Sequence, residues 1–182
     1  MRKVVLTFGL IAGGIIGVLG WVLMWSCERN AVNLDYAMFV GYASMLIALT
    51  MVFFGVKSYR DNYAGGQITF WKGVQIGMLI TLIGALFYYF GAMSYALAHP
   101  GFDERITQKF TDHIVGKLQA SGAPQAEINE ALANADSMRA MLQNPLTFFL
   151  MCLLEFLPVG AIVTVISALL LRRRELLPAA AP

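Results

Sequence analysis

The chain has 182 residues, of which 58% are hydrophobic and only 13% charged, against about 25% charged in a soluble domain. Its formal net charge is +2. That balance excludes an ordinary water-soluble domain, gives nucleic-acid binding no support, and points to a membrane protein.

Four apolar runs reach the length of about 20 residues that a helix needs to span a bilayer: 4–26, 37–56, 73–97 and 146–171. None contains Lys, Arg or Asp, and only the fourth contains Glu. The first run follows Arg2 and Lys3, as the core of a signal peptide would. It is longer than the about 7–15 residues of such a core and no small-residue cleavage site follows, so it reads as a retained helix. Gly9, Gly13 and Gly17 recur every four residues along it. Lipid supplies no hydrophobic force between helices, so a face of small residues marks close approach. The second run carries a comparable stripe of Ala37, Gly41, Ser44, Ala48 and Gly55.

The connection 57–72 is short and basic. Lys57, Arg60 and Lys72 flank Asp61 and the pair Gly65-Gly66, with Phe70 and Trp71 at the expected headgroup level. One reading is an ordinary positively charged loop. The other is a headgroup or partner contact built on Lys57, Tyr59, Arg60, Asp61 and Lys72, with the planar fork of Arg60 on a phosphate. Asp61 could equally neutralise Arg60. In the third run, Gly73, Gly77, Gly84 and Gly91 fall within about 40° of one another at the helical period. These stripes serve either a tight bundle within the chain or, on the first run above all, a second copy or partner helix.

Residues 98–145 are polar. Phe102, Ile106, Phe110, Ile114 and Leu118 recur every four residues, which predicts an amphipathic helix. Ser121-Gly122-Ala123-Pro124 interrupts it, and Ile128, Leu132, Ala135, Met138, Met141 and Leu142 predict one further helix or two short ones. The expectation is a helical hairpin that caps the bundle or lies in the interface. His99 and His113 match no compact metal motif, and Cys27 and Cys152 have no metal-type spacing, so neither a metal nor another cofactor is expected. Two cysteines alone define no disulfide framework.

The fourth run holds Glu155, with Pro158 and Gly160 just after it, and ends in Arg172-Arg173-Arg174. An ionisable residue inside a membrane is costly and is a functional-site hypothesis by default. Pro158 leaves the carbonyl of Leu154 without its helical donor, which predicts a kink beside the carboxylate. Tyr88 on the third run and Ser44 on the second lie at a similar depth. No basic residue is expected there, so the acid is expected in its neutral form, bonded to Tyr88, Ser44 or the Leu154 carbonyl. Structural strut and proton or cation site are the two readings.

Lys and Arg fix the orientation. With the N-terminus in the cytoplasm, Arg2, Lys3, Lys57, Arg60, Lys72 and the three final arginines share the inner side, in short segments beside helix ends. The segment 98–145 is then periplasmic and both termini are cytoplasmic.

Three stretches resemble a bacterial membrane family, the domain of unknown function 4199: GYASMLIALTMVFFGVKSYRDNYAGGQITFWKG, the helical segment ending in Asn144-Pro145, and EFLPVGAIVTVISALLLRRR. The resemblance covers nearly the whole chain. It implies a four-span bacterial inner-membrane protein and no activity.

The expectation is therefore all-α: a single membrane domain over 1–182, a four-helix transmembrane bundle with an extracytoplasmic helical hairpin between spans three and four. Membrane lipids are the expected partners, with a second copy or another membrane protein as further ones. The leading functional reading is a non-enzymatic accessory, scaffold or assembly component working through helix–helix contacts. The alternative is a small oligomeric transporter or channel with Glu155 as a proton-linked site.

Overall fold

The computed structural model describes residues 1–172. Arg173 and Arg174 of the terminal arginine run lie outside the described residues. Six helices follow one another among the described residues: α1 (Arg2–Glu28), α2 (Leu34–Tyr63), α3 (Phe70–Ala98), α4 (Phe102–Ala120), α5 (Gln125–Gln143) and α6 (Pro145–Arg172). The helices α1, α2, α3 and α6 are long and apolar enough to cross a membrane, and α4 with α5 forms the hairpin between spans three and four.

Local chemistry sets the helix ends. Asn33 accepts from the backbone N–H of Asp35 at 3.0 Å and caps α2. Asn144 accepts from Leu146 and Thr147 at 3.0 and 3.3 Å, and Pro145 takes the first helical position, where its missing N–H costs nothing. The helix α4 stops at Gly122, whose φ of +71° suits a residue without a Cβ. The Gly122 and Ala123 N–H groups turn back onto the carbonyls of Gln119 and Leu118, a Schellman closure. The helix α2 continues through Lys57 to Tyr63, so the connection expected over 57–72 is confined to residues 64–69. Gly65 and Gly66, at φ +60° and +78°, make its turn.

The spans pack through glycine. A Cβ on Gly9 would lie 2.8 Å from Ile83, and one on Gly13 would lie 2.4 Å from Phe87. Gly91 stands against the backbone of Gly17. The stripe on α1 is therefore used within the chain, against α3. Between α3 and α6 the fit is reciprocal: Gly77 faces Thr164, and Gly160 faces Thr81. The two threonine hydroxyls meet at 3.5 Å in the buried crossing. Gly84 lies against the ring of Phe156, which is fully buried. Trp21 adds a polar tie, donating to the Gly91 carbonyl at 3.1 Å and to Ser94 at 2.9 Å. Around these crossings the core is aliphatic, with Met45, Leu49, Val52, Ile76 and Ile80 almost wholly buried.

Candidate functional site

The hairpin roofs a cavity of about 710 Å³. Its roof is the apolar stripe of α4, Phe102, Ile106, Phe110 and Ile114, with Met138 and Leu142 of α5. Its walls come from α1, α2, α3 and α6, through Leu23, Met38, Met93 and Phe148 among others. Apolar residues recur every four positions on α4 because that face covers this space. The volume lies within the about 300–1,000 Å³ of small-molecule sites.

Glu155 and Tyr88 form one polar end. The Tyr88 hydroxyl donates to Oε2 of Glu155 at 3.0 Å. Glu155 sits ten residues beyond Pro145, roughly 15 Å into the span at 1.5 Å per residue. It is exposed and lines the cavity, while Gly160, Thr164 and Ser167 of the same helix are buried against the other spans. The ring of Tyr88 also packs on Phe156, with centroids 5.7 Å apart. Ser44 does not join this pair: its hydroxyl donates to the Val40 carbonyl of its own helix at 2.8 Å, because the residue is buried on the packed face of α2. Pro158 lies inside α6, one turn from Glu155, and the helix runs on through it to Arg172.

The second polar end, Asp35 with His113 and Lys117, belongs to a group of polar ties that straps α4 to the bundle. Arg105 donates to Oε1 of Glu28 through Nε at 3.0 Å, and Tyr95 donates to Oε2 at 2.8 Å. Lys109 reaches the last carbonyls of α1, those of Cys27 and Glu28, and Oδ1 of Asn30 at 3.0 Å. A cation there satisfies carbonyls left open by the helix end. His113 and Lys117 both bond Asp35, at the start of α2. Sequence reading missed this arrangement, although its signal is present. Arg105, Lys109, His113 and Lys117 stand four residues apart, one basic stripe beside the apolar one, facing Glu28 at the end of α1 and Asp35 at the start of α2. Asp103, at the cavity wall, has its carboxyl pushed above the usual carboxylate range by burial.

The remaining site expectations fall elsewhere. His99 stacks on Tyr95, with ring centroids 4.2 Å apart. Both cysteine thiols are buried and free. At the opposite end of the bundle, Arg60 is only 1% exposed and its Nε donates to Oδ1 of Asp61 at 2.6 Å. The fork that one reading offered to a headgroup phosphate is thus turned inward, with Asp61 beside it. The reason is register: because α2 continues as a helix, position 60 follows Val52 and Val56 on the buried face. Tyr59 stacks on Tyr63, Lys57 is half-buried, and Lys72 bonds Gln75 at 3.2 Å. These side chains form no common site with Glu155, which lies on the cavity side.

Four bilayer-length helices with a strapped helical roof over an apolar cavity define a small polytopic helical membrane protein. The chain belongs to the family described as "Protein of unknown function (DUF4199)", whose model matches residues 7–173. No curated protein and no solved structure matches it.

Proposed function

We propose that this protein binds an amphiphilic small molecule within the membrane, in the cavity beneath the hairpin, and carries or presents it without transforming it. The observation that carries this reading is one cavity combining apolar walls with a carboxylate at bilayer depth. An intramembrane acid facing a cavity is the usual mark of a substrate or ion path. The alternative is a scaffold acting through glycine faces; Gly9 and Gly13 of α1 and Gly77 and Gly84 of α3 already pack against neighbours, which leaves Gly14, Gly17 and Gly20 of α1 for such a contact.

The test is photolabelling of the purified chain in nanodiscs with a diazirine-bearing long-chain alcohol. Adducts should concentrate on cavity residues such as Met24, Met93 and Met138. Labelling confined to the outward Leu154 and Ile162, 76% and 61% exposed, would contradict the reading. For orientation we propose a bacterial inner membrane, with the end bearing Lys57, Lys72 and Arg172 in the cytoplasm. A single cysteine at Gln125 in a chain lacking Cys27 and Cys152 should then react with an impermeant maleimide in cells. One at Gln67 should not, and the reverse pattern would invert the topology.

A further inference from the structure

The cavity's charges point to a class of occupant. Three carboxylates line it: Asp35, Asp103 and Glu155. The basic side chains among its described lining residues are Lys117 and His113, and both are held by Asp35. Positive charge is therefore committed at one end of the cavity. At the other, Glu155 is bonded by the neutral hydroxyl of Tyr88. A carboxylate has room for several donors, and Tyr88 fills one of these places. Aromatic side chains line the same cavity, Tyr88 and Phe148 from α3 and α6 and Phe102 from the roof. Aromatic rings attract cations through their quadrupole and offer anions nothing comparable.

We infer that the cavity takes a lipophilic monovalent cation: an apolar body under the hairpin, with its positive charge against the carboxylate of Glu155. This rests on the binding reading above and adds the charge of the ligand. A carboxylate in a low-dielectric site is costly unless paired, and such an occupant supplies a cationic partner that the described residues do not. An anionic amphiphile would find no described cation beside Glu155, and Lys117 is already engaged by Asp35.

Two ions of the same size and shape and opposite charge make the test: tetraphenylphosphonium and tetraphenylborate. Binding of each to the full chain in nanodiscs of neutral lipid is measured by equilibrium dialysis, against empty nanodiscs. The phosphonium should bind saturably and the borate should not. Glu155→Gln should weaken the phosphonium by about tenfold to a hundredfold, the range expected for losing one through-space ion pair about 6–12 Å apart at an effective dielectric of about 20. Glu155→Asp should retain the preference. Should Glu155→Gln not fold, the comparison of the two ions on the unaltered chain decides alone. Equal binding of both ions, or undiminished binding by a folded Glu155→Gln, would overturn the inference. If the diazirine alcohol labels the cavity while the ions show no preference, the binding reading stands and the cation falls. If the alcohol also leaves the cavity unlabelled, both fall.

Discussion

The reciprocal crossing of α3 and α6 makes a demanding forecast at Gly160. A methyl added there would lie 2.1 Å from Cγ2, 2.9 Å from Oγ1 and 3.1 Å from Cβ of Thr81. Comfortable carbon contacts lie at about 3.5–4.0 Å, so the helices must part by more than about 1 Å or Thr81 must abandon its position. Thr81 is fully buried, with its hydroxyl against Thr164, and has no open space to turn into. Overpacking of this kind costs about 1–3 kcal/mol, and a contact this short belongs at the upper part of that range. Reversible unfolding in mixed micelles would measure it for Gly160→Ala, Thr81→Ala and the double variant. In the double variant the nearest remaining atom is the Cβ at 3.1 Å, so it should be more stable than the sum of the single effects by about 1 kcal/mol or more. Gly14→Ala is the control, since no atom lies within 4 Å of its added Cβ. A neutral Gly160→Ala, or strictly additive variants, would refute the packing argument.

The ion pairs of α4 should act as a strap on the roof. Replacing both Arg105 and Lys109 by Ala should raise hydrogen exchange throughout α4 and leave the four spans protected; unchanged exchange in α4 would show that its apolar face alone holds it down. Burial raises the carboxyl of Asp103 above its ordinary value, so the folded state holds that proton more tightly than the unfolded one. Its contribution is complete below the unfolded value and is lost as the pH rises through the raised one. Stability should therefore decline across the window between the two values, and Asp103→Asn should flatten the profile; an identical slope in both chains would exclude Asp103 as its source.

The spans were legible because each is an apolar run of bilayer length, and glycine spacing pointed to the packed faces. The neighbour of each glycine was not legible. Gly13 meets Phe87 and Gly77 meets Thr164 because of helix rotations that periodicity leaves free. Glu155 stood out by its chemistry, and depth counting, with Tyr88 close to the glycine stripe of its helix, brought Tyr88 to it. The same counting included Ser44, because depth says nothing about which way a residue faces on its helix. The straps of the hairpin join residues about 80 positions apart, such as Lys109 with Asn30 and Lys117 with Asp35. Their four-residue spacing was visible in the sequence, whereas their partners became apparent only once α4 was folded back over the α1–α2 turn. Arg60 shows the cost of ending a helix where its hydropathy ends. Seven further helical residues, 57–63, turn a supposed loop cation into a buried one.

The most direct measurement of the central claim is native mass spectrometry of the chain taken from its own membrane into nanodiscs. A small-molecule mass should be retained by the unaltered protein at defined stoichiometry and depleted in a folded Glu155→Gln variant. A bare chain, or a chain accompanied only by a second protein and indifferent to Glu155→Gln, would contradict it.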